Sequence, residues 1–247
     1  MTFWDHLDEL RKVLFKSAIA VFIIAIPIFF FKEILFDDII FAPTKQDFIL
    51  YQWLGKTFSG DFNLHLINID LSAQFFIHIS VTLTLAFILA VPYVLYQFWT
   101  FVKPGLYKTE QRATRRAFYF GSVLFLTGVF VGYLFVFPLT LRFLGTYQVS
   151  TAVPNHISLQ SYISMFTRLI LIMGLVFEMP ALALILSRIG IISKGMLKKY
   201  RKHSFVVLLI AAAIITPSGD AFTLMVVTTP LYLLYEFSIL ICRDINQ

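Results

Sequence analysis

Few side chains in this 247-residue sequence are placed to do chemistry, and most of them are carboxylates set against apolar runs. Glu9 stands in His6-Leu-Asp-Glu-Leu-Arg11, and Glu110 closes Lys103-Pro-Gly-Leu-Tyr-Lys-Thr-Glu110. Each lies at the edge of a hydrophobic stretch. Two carboxylates on separate elements at one membrane face would make a receptor for a cationic ligand. A guanidinium suits such a pair best, because its planar fork bonds a carboxylate in bidentate fashion. Each acid also has an ordinary role: Glu9 as the local partner of Lys12, and Glu110 as a favourable charge at a helix N-terminus with Thr109 as its N-cap. On spacing alone the ordinary role is the stronger for both.

Glu178 is the strongest signal inside an apolar run. A carboxylate at depth costs about 2.5–3.5 kcal/mol on insertion scales and usually faces a bundle interior or water. Arg168 is ten residues earlier in the same run. That is about 15 Å along one helix, too far for a direct pair within it. Pro180, just after Glu178, is expected to kink the helix and free a carbonyl. Asp220, in the link Thr216-Pro-Ser-Gly-Asp220, reads first as an N-cap. Glu236 is expected near the cytoplasmic end of the last apolar run, and no role is assigned to it.

No enzyme template fits. The sequence contains no Walker A motif, no H-E-x-x-H and no G-x-S-x-G. Its histidines (His6, His65, His78, His156, His203) show no metal-ligand spacing, and His78 on an apolar helix reads as a hydrogen-bonded packing residue. No enzymatic activity, cofactor or metal is expected. The lone Cys242 excludes an intrachain disulfide.

The elements that must hold these residues follow from composition. Hydrophobic residues make up 59% and charged residues 14%, with mean hydropathy +0.82, against about 45–50% and 25% in soluble domains. The expected fold is therefore an all-α integral membrane protein, one polytopic domain over residues 1–247. Six apolar segments emerge, at 13–31, about 73–99, 117–141, 162–186, 204–216 and 221–241. The first four have the roughly 20 residues that a spanning helix needs. Residues 204–216 would reach only about 20 Å, so the last two are read as short helices in a locally thinned bilayer.

Phe3, Leu7, Leu10 and Leu14 recur at helical spacing. They predict an amphipathic helix over about residues 2–12 that leads into the first segment. Residues 1–10 are acidic and no A-x-A-like site follows, so the first run is expected to remain as an anchor. The stretch 32–72, acidic and rich in aromatic residues, is expected to form a small cap.

Net charge is +6, which in a soluble protein would raise nucleic acid as a partner; topology explains it better here. Bases crowd the stretches 11–16, 103–116 and 188–202, whereas the alternate loops carry Lys32, Lys45, Lys56 and Arg142. By the positive-inside rule both termini are cytoplasmic.

Taken in order, His6-Leu-Asp-Glu-Leu-Arg11, Tyr96-Gln-Phe-Trp-Thr-Phe-Val-Lys-Pro-Gly-Leu-Tyr-Lys-Thr-Glu110, Phe177-Glu-Met-Pro180 and Thr216-Pro-Ser-Gly-Asp220 fall at matching ends of the six segments. The whole chain thereby resembles the TatC family of the twin-arginine protein translocase. The resemblance implies a six-helix, cup-shaped bundle in the cytoplasmic (inner) membrane of a bacterium. It also implies recognition of the paired arginines in signal peptides of folded cargo, with transport driven by the proton-motive force.

TatA and TatB, small single-span subunits, are the implied partners, together with self-association in the receptor complex and no nucleic acid. By motif position, Glu9 and Glu110 would receive the signal's arginines. Phe101, Pro104, Leu106, Tyr107 and Lys108 would shape the recognition loop, and Arg11 would order the N-terminal helix against it. Glu178, with Pro180 and Asp220, would serve a partner helix within the membrane. Two positions depart from the family pattern: Val13, where a second base often follows, and Leu224, where a polar residue is usual. The alternative reading is a proton- or ion-coupled secondary transporter of a small solute, built around Arg168, Glu178 and the proline-broken helices.

Overall fold

The computed structural model describes residues 3–55, 64, 66–105, 107–150, 155–216 and 219–242. The side chains of residues 3, 5, 108–110 and 113 lie outside that description.

The first element, α1 (Phe3–Phe30), is one uninterrupted helix. No Gly or Pro precedes Pro27, so the ladder runs unbroken up to that residue, which lacks only its own N–H. The amphipathic N-terminal stretch is therefore the opening turns of the helix that carries the first apolar run. After the short α2 (Ile49–Leu54) comes α3 (Ala73–Val102), a 30-residue helix of about 45 Å.

The third apolar run divides into α4 (Lys108–Val131), a π-helical stretch Gly132–Val136, and α5 (Phe137–Thr146). Pro138 is the cause: it has no N–H for the carbonyl four residues back, and the wider turn lets the Phe137 N–H donate to Gly132 O instead. The fourth run is likewise two helices, α6 (Leu159–Phe177) and α7 (Met179–Arg188), which meet at Glu178 as Pro180 predicts. The chain then forms α8 (Lys194–Lys199), α9 (Arg201–Ile215) and α10 (Ala221–Ile241).

Among the described residues, five helical stretches are long and apolar enough to cross a membrane: His6–Phe30, Ala73–Gly105, Thr114–Thr146, Leu159–Arg188 and Ala221–Ile241. The 15 residues of α9 reach only about 22 Å. They pair with α10, whose 21 residues reach about 31 Å and can cross. Only the first helix of the pair is short, where the sequence suggested two, because α10 continues past Glu236 to Ile241.

Packing follows chain order closely: α1 lies along α3, α4 against α6 and α7, and α10 against α7 and α9. Glycine brings α4 and α6 together, since a Cβ at Gly128 would stand 2.5 Å from the Met173 carbonyl oxygen. Phe125, Phe137, Tyr162, Leu169 and Met173 fill the centre of this contact, each at most 1% exposed.

At the end away from the N-terminus, tyrosines fasten the α1–α3 connection to the bundle. Tyr162 donates to Ile40 O (2.5 Å) and Tyr133 to Ile39 O (2.8 Å). The Tyr51 hydroxyl lies 3.0 Å from Pro43 O and 3.1 Å from Pro138 O. Burial pushes the Tyr51 hydroxyl well above the usual phenol range, so it stays a neutral donor. The buried Arg142 guanidinium sits over the Tyr51 ring at 5.0 Å. Two short strands, β1 (Leu66–Ile67) and β2 (Ile157–Ser158), pair in parallel and join the two long connections at this end.

Candidate functional site: the N-terminal end of the bundle

The turns that carry Glu9 are positioned by an aromatic contact. The His6 ring stacks on Phe101, the penultimate residue of α3, with centroids 4.2 Å apart and planes at 25°. This fixes the start of α1 against the end of α3. One helical turn beyond His6, Glu9 Oε1 accepts from Lys12 Nζ at 2.8 Å, with both side chains about half exposed. The local partner expected for Glu9 is thus realised. A pair so exposed holds its carboxylate weakly, and a bidentate guanidinium is the better ligand for it. Arg11 is exposed beside Leu7, Leu10 and Leu14. Val13, at the position where the family pattern often has a base, is buried in the helix packing at 4% exposure.

The connection from α3 to α4 is short and internally tied. A single 3-10 turn, Lys103–Gly105, follows α3. The Gln111 side chain donates to Lys103 O (3.3 Å), and its N–H donates to Tyr107 O (3.1 Å). Pro104 and Tyr107 stand exposed on this loop, while Phe101 is half-buried under His6. Leu106 lies outside the described residues. Lys108 and Glu110 have their backbones in the first turn of α4, and their side chains lie outside the description. The two segments bearing the sequence-predicted carboxylates therefore end at the same pole of the bundle.

Glu178 and its neighbours form a separate feature. Glu178 is the hinge residue between α6 and α7, and Pro180 is buried just behind it. Its carboxylate lies against Gly121 of α4, where an added Cβ would come within 2.5 Å of Oε2. Its Oε1 is buried and has no hydrogen-bond partner among the described residues. Arg168 is exposed on α6, away from this carboxylate. Asp220 is the N-cap of α10, its side chain accepting from the Thr223 N–H at 2.7 Å. Leu224 is half-buried and packs against the core.

Sequence reasoning missed three of these features. Histidine spacing alone does not single out His6, although its place in the His6–Arg11 run does. Gly121 carries no signal that it faces a carboxylate across a helix pair. Glu236 turns out to bind Arg201 through Oε2 (2.6 Å) while Oε1 accepts from the Tyr232 hydroxyl (3.1 Å). His78 also differs from expectation. It stacks on Phe29 (4.2 Å) and meets Phe36 edge-on (5.7 Å), and its Nε2 is buried without a hydrogen bond among the described residues.

This architecture defines a polytopic helical membrane protein with a polar, carboxylate-bearing pole and a half-buried acid at a proline-broken helix junction. The sequence model of the TatC family, "Sec-independent protein translocase protein (TatC)", matches residues 5–230. A Sec-independent protein translocase protein TatC from Blattabacterium sp. subsp. Periplaneta americana is 40% identical, covering 100% of this chain and 97% of that protein. TatC proteins of Helicobacter pylori and Aquifex aeolicus are each 34% identical, over 98% and 97% of this chain and 87% and 93% of their own lengths. A crystal structure of the twin-arginine translocase receptor TatC superimposes with TM-score 0.74 at 34% identity, covering 96% of this chain and 97% of that one. A second, in the detergent DDM, gives 0.78 at 33% identity over 96% and 99%. The chain belongs to the TatC family, membrane components of the Sec-independent translocase without enzymatic activity.

Proposed function

We propose that this chain is the signal-peptide receptor and core subunit of a twin-arginine translocase that exports folded proteins, driven by the proton-motive force. It resides in the cytoplasmic membrane with both termini in the cytoplasm. The observation that carries the reading is the His6–Phe101 stack, which sets the Glu9 turn beside the loop leading to Glu110. The crowding of bases at 11–16, 103–116 and 188–202 supports the orientation. The twin-arginine receptor TatC structures, matched over nearly the whole chain, support the role.

In this reading the first arginine of the signal displaces Lys12 from Glu9 and the second reaches Glu110. Phe101, Pro104, Leu106, Tyr107 and Lys108 form the wall of the site, and Arg11 steadies the opening turns of α1. The surrounding bases repel a loose cation, so only a ligand that engages both carboxylates gains. Glu178, with Pro180 behind it and Asp220 capping the neighbouring hairpin, serves the docking of a single-span partner, TatA or TatB. Several copies associate in the receptor complex.

The test is copurification of a twin-arginine precursor with this chain from membranes. The reading expects recovery of the wild-type precursor and strong loss when both signal arginines become lysines, since an ammonium lacks the bidentate fork. Equal recovery of the two precursors would contradict it.

A further inference from the structure

A second basic site lies apart from that pole's loop, at the junction of α8, α9 and α10. Lys194, Lys198, Lys199, Arg201 and Lys202 fall within ten residues. They are held on a platform, not on a loose loop. The buried Tyr235 hydroxyl donates to Leu197 O (2.7 Å), tying α8 to α10. The Arg201–Glu236–Tyr232 chain ties the first turn of α9 to the same helix. Both oxygens of Glu236 are engaged in that chain. Among the described residues Lys198, Lys199 and Lys202 form no ion pair, which leaves net positive charge fixed around a concavity of about 540 Å³. Its floor is Phe205 packed edge-on to Tyr232, with centroids 5.5 Å apart.

The depth of this corner sets what fits it. The 15 residues of α9 are shorter than the roughly 30 Å hydrocarbon core. Burying Lys and Arg in hydrocarbon is costly, so the charged first turn of α9 sits at headgroup level with Phe205 one turn deeper. Below Phe205 the outer face of α9 continues as exposed Val206, Ile210 and Ile214. An ammonium cluster above an aromatic floor that runs into an apolar helix face matches a phosphate group joined to acyl chains. A free phosphate would use only the upper half.

We propose that this corner binds the phosphodiester headgroup of one anionic phospholipid. Lys198, Lys199 and Lys202 contact the phosphate, Phe205 and Tyr232 contact the glycerol region, and the chains run down α9. A lipid held there lines α9, the short member of the α9–α10 hairpin. The proposal needs only that this hairpin lies in the membrane and does not depend on the receptor reading.

The full-length protein is reconstituted in phosphatidylcholine vesicles containing a minority of phosphatidylglycerol. The preference for spin-labelled phosphatidylglycerol over spin-labelled phosphatidylcholine is read by electron paramagnetic resonance. In the triple variant Lys198→Gln, Lys199→Gln, Lys202→Gln the preference should fall about fivefold or more. The corresponding triple Lys→Arg variant should keep it, as should a control neutralising Lys103, Arg115 and Arg116 elsewhere on the same face. An unchanged preference in the glutamine variant overturns the proposal, and so does an equal loss in the control. Abolition of the preference by millimolar inorganic phosphate would overturn it as well, by showing a site for a soluble anion. If the triple variant fails to reconstitute, Lys202→Gln alone is read: a smaller loss in the same direction supports the site and no loss overturns it.

Discussion

His6 and Phe101 stack face to face at 4.2 Å although 95 residues separate them in the chain. This contact locks the start of the first helix to the end of the next long one. If it positions the Glu9 turn, removing either ring should weaken ligand binding more than it weakens the fold. For His6→Ala the stability loss should stay within about 1.5 kcal/mol, the upper end for a single aromatic pair. Crosslinking of a twin-arginine signal peptide should meanwhile fall several-fold. Thermal denaturation in detergent and crosslinking yield separate the two effects. Unfolding in step with lost crosslinking would show that the contact is only structural.

Gly121 and Gly128 should respond differently to alanine. At Gly128 the new methyl group meets the Met173 carbonyl at 2.5 Å and Phe177 Cβ at 2.7 Å, neither of which can swing aside. Gly128→Ala should therefore cost about 1–3 kcal/mol, the range for overpacking. At Gly121 the obstacle is the end of the Glu178 side chain, which can rotate away, so Gly121→Ala should cost less. Melting temperatures of the purified variants give the order, and a more damaging Gly121→Ala would contradict the packing described.

Tyr162→Phe should loosen the far end of the bundle. The substitution leaves the buried Ile40 carbonyl without its donor, at a cost of about 1–3 kcal/mol. Hydrogen exchange should quicken in residues 34–44 before it does so in α3 or α4. Uniform acceleration along the chain would argue against a locally anchored connection.

Asp220→Ala should remove the cap of α10 and cost about 1 kcal/mol, whereas Asp220→Asn should be nearly neutral, since an amide oxygen caps as well. Both are read from thermal melts. An equal loss in the two variants would mean that the charge, not the cap, matters.

Much of this architecture is legible in the sequence because it rests on local chemistry. Apolar length gives the spans, Pro180 gives the break beside Glu178, and Asp220 before an apolar run gives the cap. The less legible features depend on partners far away in the chain. The π-helical stretch before Phe137 is a backbone response to Pro138 within a longer helix. The two-residue strands at Leu66 and Ile157 are too short to leave a period-two pattern. The tyrosine anchors point at backbone carbonyls, which no side-chain pattern encodes. For the site, the carboxylates could be named from their motifs, but the ring contact that holds the Glu9 turn against the loop could not.

The central claim, that Glu9 and Glu110 together hold the paired arginines of a signal peptide, is tested most directly by site-specific crosslinking. A photo-reactive residue at the position of Tyr107, exposed on the α3–α4 loop, would report capture of a twin-arginine signal in native membranes. The account predicts a clear adduct in the otherwise unchanged protein, a reduced one in Glu9→Ala or Glu110→Ala, and near-complete loss in the double variant. Undiminished adduct in the double variant would contradict it.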